Sequence, residues 1–187
     1  MVWAWVSPPE EEDPFWISQN YELSTLTIFQ CPSESDLDTA TIYFDAKRYS
    51  RRKIESYSCL NIAASDRVIN QDLCDILFDL VDKDEAIFHP VCIQTKDGET
   101  NSFYVVIIKN CLPCLNPEKS NIRSWVVEQE FTIDYDGITF KEGCLGNLDI
   151  AADTMTGRII VSNRLKEALT KTQLKGLYFS QGVDLHM

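Results

Sequence analysis

The chain has 187 residues, of which 44% are hydrophobic and 11% aromatic, and a chain of this size can bury a core without disulfides or a structural metal. Its 17 basic and 29 acidic residues leave a formal net charge of -12, which argues against general binding to nucleic acids or anionic membranes and makes a basic partner the natural complement. The seven cysteines are scattered, no signal segment opens the sequence, and no apolar run reaches the roughly 20 residues of a membrane span. We therefore expect a soluble, cytoplasmic protein.

The first sixty residues predict short strands and one basic segment. Apolar runs at residues 2–6, 25–29 and 41–44 favour strands, whereas residues 7–22 have an irregular pattern. Residues 47–53, Lys-Arg-Tyr-Ser-Arg-Arg-Lys, have a composition that could hold phosphates. On an acidic protein such a run more often pairs with the protein's own carboxylates or lies in solvent, so nucleic-acid binding is not predicted.

A two-part unit occurs twice in the chain. An apolar run at 61–64 meets Ser65-Asp66-Arg67, and Ile159-Ile160-Val161 meets Ser162-Asn163-Arg164. The apolar runs suit strands, and Ser, Asp or Asn at the break can accept the free amide hydrogens of a first helical turn. Each predicted helix then returns to an apolar run that contains an aromatic residue. The sequence therefore predicts two strand–helix–strand units.

The remaining elements are strands. Residues 87–95 and 102–109 flank Lys96-Asp97-Gly98-Glu99, a turn signal that predicts an antiparallel hairpin. Residues 125–130 and 131–135 alternate as strands do, and 138–140 is expected to pair back after the turn at Asp136-Gly137. No Pro/Gly linker divides the chain. We predict an α+β fold with a mixed, largely antiparallel sheet and two principal amphipathic helices, as a single domain over 1–187 in which 1–60 is a candidate divergent N-terminal subregion.

The helix predicted after residue 67 carries two distinct faces. Its apolar residues recur at helical spacing and form the buried side; they are Ile69, Leu73, Ile76, Leu77 and Leu80. Four aspartates form what we call the acidic stripe: Asp72, Asp75, Asp79 and Asp82. Like charges at these spacings repel, and the helix dipole disfavours anions near the carboxyl end, so stability alone would not select this pattern. The stripe is either a solvated face or a docking surface for lysines and arginines, to which acidic runs at 10–13 and 34–38 could add.

Residues capable of catalysis are sparse. The two histidines, His89 beside a proline and His186 near the carboxyl terminus, offer no convincing general base. Paired cysteine clusters for zinc and a glycine-rich phosphate loop are both missing from the sequence. Cys111-Leu112-Pro113-Cys114 has the spacing of a thiol–disulfide exchange centre, but no long amphipathic helix follows to lower the pKa of the first thiol. We predict no enzyme, no cofactor and no metal.

Several motifs occur in a fixed order along about the last two-thirds of the chain. They are Ser65-Asp66-Arg67, Phe88-His89-Pro90-Val91, Lys96-Asp97-Gly98, Phe103-Tyr104-Val105-Val106 with Asn110, Leu115-Asn116-Pro117-Glu118-Lys119-Ser120, Ile160-Val161-Ser162-Asn163-Arg164-Leu165-Lys166-Glu167-Ala168-Leu169 and Leu174-Lys175-Gly176-Leu177-Tyr178-Phe179. In this order they resemble the immunity protein 11 family of bacterial polymorphic-toxin systems, formerly a domain of unknown function and typified by a Myxococcus protein. The sequence departs from the family pattern at Asn116-Pro117, where an Asp is expected, and residues 1–60 match no pattern.

The resemblance implies a cytoplasmic antidote that binds and blocks a cognate toxin. Such toxins are delivered between competing bacteria, for example by a type VI secretion system. We then expect stoichiometric occlusion of a basic toxin, in which the acidic stripe raises the association rate. Trp3, Trp5 and Trp16 are candidate anchors, although large aromatics are as often part of a core. Neither nucleic acid nor membrane is expected as a partner, and the oligomeric state is not predicted. Two alternatives stay open: a thiol–disulfide oxidoreductase that uses Cys111 and Cys114, and a scaffold or regulatory module with a basic partner that is not a toxin.

Overall fold

The computed structural model describes residues 1–6, 16–21, 37–38, 40–62, 67–127 and 130–183. The strands are β1 (Val2–Val6), β2 (Trp16–Gln19), β3 (Tyr43–Ala46), β4 (Cys59–Ile62), β5 (Arg67–Asn70), β6 (Ala86–Thr95), β7 (Gly98–Ile108), β8 (Cys111–Leu112), β9 (Asn121–Val127), β10 (Glu130–Asp136), β11 (Ile138–Thr139), β12 (Ile150–Asp153), β13 (Ile159–Ser162), β14 (Tyr178–Ser180) and β15 (Gly182–Val183). The helices are α1 (Arg51–Ile54), α2 (Gln71–Leu80) and α3 (Asn163–Lys171). Several predictions fall outside the described residues. They concern the strand at 25–29, the acidic runs at 10–13 and 34–36, Ser65-Asp66 and His186.

Six strands close into a barrel in the order β2-β3-β6-β7-β5-β4. Successive side chains of a strand point to opposite faces, so alternate residues of each barrel strand face its interior. On β7, Phe103 and Val105 belong to the cluster that fills the barrel, while Tyr104 and Val106 belong to the cluster outside it. The predicted hairpin of β6 and β7 is confirmed, with Gln94 paired to Glu99 at its tip.

A second sheet of five strands has the order β14-β1-β13-β12-β8. One face contributes Trp5 and Val161 to the cluster that lies against the outside of the barrel, and the other contributes Ala4 and Ile160 to a third cluster. Both long helices lie in the layer between sheet and barrel, where they contribute residues such as Leu73 of α2 to the shared core. The predicted α+β fold is confirmed, including the mixed, largely antiparallel strands and the two principal helices.

The second predicted strand–helix–strand unit is β13–α3–β14. The helix and the closing strand of the first are α2 and β6, but its opening strand is β5, whereas residues 61–62 of the predicted opening strand belong to β4, which pairs antiparallel with β5. In each unit a third strand lies between the two strands that the helix connects, β7 in the first and β1 in the second. The central strand is antiparallel to both of its neighbours, so the connected strands are parallel to each other. The helix of each unit therefore crosses over the central strand. Both helices pack in the layer between the five-stranded sheet and the barrel.

The predicted start of the second long helix, α3, is confirmed, and the predicted start of the first, α2, is wrong. The Ser162 side chain accepts a hydrogen bond from the amide of Leu165 at 3.0 Å, as predicted for the cap of α3. In the first unit, Arg67 pairs with Val106 in the barrel, and residues 67–70 form the separate strand β5, which includes Ile69 of the predicted helix face. Asn70 is the residue that caps α2. Sheet pairing at Arg67 therefore delays the helix by several residues.

Two further sequence predictions are refined by the sheet pairing. The strand expected at 41–44 begins at Tyr43, and the strand expected to pair back after Gly137 pairs with β15 instead, with Ile138 opposite Val183. The basic segment forms α1 and the turn before it, where Lys47 pairs with Asp45 and the Arg51 guanidinium with the carboxylate of Glu55 at 2.7 Å. Among the described residues, no helix is both long and apolar enough to cross a membrane.

Candidate partner-binding surface

Helix α2 presents the acidic stripe to solvent. The Asn70 side chain accepts a hydrogen bond from the Leu73 amide at 3.0 Å and thereby fixes the start of the helix. Leu73, Cys74 and Leu77 are buried in the layer shared with the five-stranded sheet. The opposite side of the helix carries the exposed carboxylates of Asp72, Asp75 and Asp79. The separation of an apolar and an acidic face, as predicted from the sequence, follows from this packing.

Asp82 of the acidic stripe lies beyond the helix. Helix α2 ends at Leu80, and Val81 caps it in an extended conformation. The exposed Asp82 sits in the following turn, where its carboxylate accepts a hydrogen bond from the Asp84 amide at 3.2 Å. The stripe therefore continues past the helix end, but its last member is held by a turn and not by helical geometry.

A cation from α3 occupies the carboxyl end of α2. Helix α2 has no basic residue in its own last turn, where a positive charge would be favourable. The Arg164 guanidinium, at the start of α3, donates to the carbonyl oxygen of Leu80 at 3.0 Å and also pairs with the carboxylate of Asp149. The second unit thus holds the end of the helix that carries the acidic stripe.

The buried carboxylate of Glu85 supports the turn after α2 through two hydrogen bonds. Glu85 is 5% exposed, and its carboxylate accepts from the amides of Asp149 and Ile150 at 2.7 and 2.9 Å. Desolvation would raise the pKa of Asp149, but hydrogen bonds from Arg164 and Ser162 and the charge of Arg164 hold it below its usual value. These contacts join the turn at 82–85 to the strand β12 region.

An open cleft of about 510 Å³ lies beside the acidic stripe, between α2 and strands β6 and β7. We call it the Phe78 cleft, because Phe78 lines it and is 58% exposed. The lining residues are Gln71, Cys74, Asp75, Phe78, Val81, Lys83, Ala86, Ile87, Phe88 and Tyr104. Most of these residues are apolar, and Asp75 belongs to both the cleft and the acidic stripe.

Hydrogen bonds fix the polar side of the Phe78 cleft. The Tyr104 hydroxyl donates to the side-chain carbonyl of Gln71 at 2.5 Å, and the Gln71 amide donates to the carboxylate of Asp75 at 2.7 Å. These two hydrogen bonds orient the carboxylate of Asp75 at the edge of the cleft. The sequence analysis missed the cleft, since its walls come from segments distant in sequence. The one available signal was Phe78, a large apolar residue outside the apolar face of α2.

Of the three tryptophans predicted as anchors, Trp3 and Trp5 have different surroundings. Trp5 is 1% exposed and packs against the ring of Phe179 at a centroid distance of 5.9 Å, so it is part of the core. Trp3 is half-buried, donates from its indole nitrogen to Asn163 at 3.0 Å and lies under the Lys166 ammonium. Trp16 begins strand β2, and its side chain lies outside the description. Of the three, Trp3 alone is shown with ring surface near solvent, and it lies on the α3 side, not on the acidic stripe.

Among the described residues, the six cysteines and His89 do not form a recognisable catalytic arrangement. Cys111 is exposed in strand β8, whereas a redox centre of this spacing needs its first thiol at a helix start. Cys114 is buried, and hydrogen bonding with Cys144 raises the pKa of the Cys114 thiol and lowers that of Cys144. Burial lowers the pKa of His89, which contacts the carbonyl of Ala40. No group of three or more His, Cys, Asp or Glu side chains able to hold a metal ion occurs in the described part of the chain.

Comparison with known proteins identifies the family. A search of curated proteins finds no match. The model of the immunity protein family Imm11 matches residues 40–184, a span that includes α2, α3, the Phe78 cleft and the whole acidic stripe. The matched span covers most of the chain and agrees with the motif order noted in the sequence, so the protein belongs to the Imm11 immunity protein family.

Proposed function

We propose that this protein binds a cognate bacterial toxin stoichiometrically and neutralises it by occlusion, with the acidic stripe facing a basic surface of the toxin. Membership of an immunity protein family supports the role. The observation that carries the proposed surface is the exposure of all four carboxylates of the acidic stripe on and just after α2. The formal net charge of -12 supports a basic partner.

The acidic stripe acts mainly on the rate of association. Clustered charges of one sign create a field that steers an oppositely charged protein into encounter, and salt screens that field. Affinity then comes from buried contacts beside the charges, which exclude water. A rigid support for the stripe favours this mechanism, because ordering costs less on binding. The Asn70 cap and the contact of Arg164 with Leu80 supply that rigidity at the two ends of α2.

The cellular setting is part of the proposal. A toxin delivered by a neighbouring cell through contact-dependent secretion, such as a type VI system, acts inside the recipient, so we propose that the antidote works in the cytoplasm. Neutralisation by occlusion requires no turnover, and the immunity family suggests a non-enzymatic role. We therefore propose that Cys111 and Cys114 are dispensable, in contrast to a thiol oxidoreductase.

Co-expression tests the proposed function. The protein encoded beside this gene is induced in bacteria with and without this chain, and the pair is then copurified. We expect rescued growth and a complex of fixed stoichiometry; a harmless neighbour or the absence of a complex would refute the proposal. Replacing Cys111 and Cys114 by serine should leave rescue intact, whereas loss of rescue would favour the oxidoreductase. A complex with a neighbour that is not toxic would indicate a scaffold or regulatory module.

A charge variant tests the proposed surface. Replacing Asp72, Asp75, Asp79 and Asp82 with asparagine should lower the association rate at low salt by about tenfold and flatten its salt dependence. The matched control replaces the same number of exposed carboxylates elsewhere, Glu99, Glu118, Glu142 and Glu167, with glutamine. If both variants slow association equally, net charge and not the stripe steers the partner.

A further inference from the structure

The Phe78 cleft combines features that a folded protein does not need for its own stability. Phe78 is 58% exposed on a helix whose other apolar residues are buried or half-buried. Its cleft, of about 510 Å³, has an apolar floor that includes Val81 and Phe88. Volumes of this size accommodate ligands or the side chains of a partner. The cleft opens directly beside Asp75 of the acidic stripe, which places it inside the surface proposed to face the toxin.

The charges around the cleft select a cationic occupant. Asp75 lines the cleft, and the exposed Asp72 and Asp79 lie on the same helix. The carboxylate of Asp75 is oriented by Gln71 at 2.7 Å. An anionic side chain would meet the carboxylate of Asp75 in the cleft, and a purely apolar one would desolvate this carboxylate with the neutral Gln71 amide as its partner. A side chain that has both an apolar stem and a positive end matches the lining.

The protein already places a cation on the Phe78 ring. The ammonium of Lys83, which is exposed in the turn after α2, lies 5.6 Å from the centroid of that ring. The contact shows that the open face of Phe78 can receive a positive group. A lysine side chain is flexible and its ammonium is strongly hydrated, so a cation of the partner can displace Lys83 from the ring. A planar guanidinium suits this ring better than an ammonium, because it stacks on the ring and pairs with a carboxylate at the same time.

We propose that the Phe78 cleft receives an arginine side chain of the cognate toxin, stacked on Phe78 and paired with Asp75. The inference rests on the proposed function. It adds which residue type of the toxin anchors the complex and which cleft of this protein receives it. In this arrangement the arginine stem lies on the apolar floor, and its guanidinium replaces the Lys83 ammonium over the ring. Arginine and aromatic residues in desolvated pockets carry a large share of the affinity of protein complexes.

Affinity measurements on purified variants with a catalytically inactivated toxin test this inference. Phe78→Ala should weaken the complex by at least about 30-fold, the size typical of an anchoring residue. Met155→Ala is the matched control, because Met155 is a large apolar residue of similar exposure, 50%, that does not line the cleft. Both sites are exposed, so both variants should fold, which thermal unfolding checks. Equal affinities of Phe78→Ala and Met155→Ala would overturn the proposal.

The sign of the charge effects identifies the occupant. For a guanidinium, Asp75→Asn should weaken binding by about tenfold, and Lys83→Ala should leave binding unchanged or tighten it, since a competing cation is removed. Weaker binding by Lys83→Ala would mean an anionic occupant, and an unchanged affinity of Asp75→Asn would mean an apolar one; either result overturns the arginine. Rescue by the unmodified chain reports the proposed function separately. Intact rescue with an unaffected Phe78→Ala complex refutes the cleft alone, whereas no rescue by the unmodified chain refutes the proposed function.

Discussion

Replacing Gly176 with alanine tests how the second strand–helix–strand unit is joined to the barrel. Gly176 is buried in the turn that leads from α3 to β14, and its φ angle is 91°. A Cβ atom built on it would lie 2.3 Å from the carbonyl oxygen of Cys59 and 3.1 Å from the carbonyl carbon. The obstacle is backbone of barrel strand β4, and neighbouring amides of Ser58 and Cys59 already donate to the carbonyl of Lys175. Neither side can move without losing these hydrogen bonds.

The expected loss of stability has two parts. A left-handed backbone costs a residue with a Cβ about 1 to 2 kcal/mol, and forcing an extra methyl group into a packed site costs about 1 to 3 kcal/mol. Gly176→Ala should therefore lower the free energy of unfolding by about 2 to 5 kcal/mol. For a chain of this size, that corresponds to a fall in Tm of at least about 4 °C.

A second glycine separates the two parts. Gly143 has a φ of 71°, but a Cβ atom there would meet nothing within 4 Å. Gly143→Ala should lose the backbone part alone, about 1 to 2 kcal/mol. Urea unfolding of both variants, followed by tryptophan fluorescence, gives the two free energies. If they agree to within about 0.5 kcal/mol, the resolution of additivity between distant sites, the close approach to Cys59 has no energetic role and the reasoning fails.

Two further predictions concern the contacts that hold the turn after α2. Glu85→Ala leaves the amides of Asp149 and Ile150 without their shared acceptor oxygen and should destabilise the fold by about 2 to 4 kcal/mol. Glu85→Gln keeps one acceptor oxygen and should lose less; equal losses in urea unfolding would contradict this. The pKa of Asp149 is lowered in the folded protein from 3.8, so its contribution to stability is present above that value and is lost as the pH falls through the lower folded pKa. The difference in unfolding free energy between the unchanged protein and Asp149→Asn should thus be constant near neutral pH and shrink below about pH 4. A difference that grows on acidification would reverse the assigned shift.

Local signals in the sequence predicted much of the fold. The hairpin at Lys96-Asp97-Gly98-Glu99 and the cap at Ser162 are confirmed because each depends on a few adjacent residues. The start of α2 was misplaced because Asp66 and Asn70 are both good caps, and the choice between them depends on the pairing of Arg67 with Val106, far away in sequence. Barrel closure likewise depends on distant pairs such as Trp16 with Asn61, which no local pattern reports.

The candidate site was predictable to a similar extent. The exposure of Asp72, Asp75 and Asp79 follows from helical periodicity, which needs no knowledge of the rest of the chain. The Phe78 cleft was not predictable, because its walls include Phe88 and Tyr104 from two strands that only the folded barrel brings beside α2. The sequence also could not predict whether a tryptophan is buried or exposed, since a residue such as Trp5 is equally suited to a core and to an interface.

Barrel closure also bears on how much of this protein a cell can hold. Free strand edges are templates for pairing between chains and hence for aggregation, and closing a sheet on itself removes them. The edge strands of the five-stranded sheet are short, with three residues in β14 and two in β8, whereas the strands of the β9–β10 pair have seven residues each. The barrel strands offer no free edge for pairing between copies, and the formal net charge of -12 makes copies repel one another, so both features favour a high concentration of the folded protein.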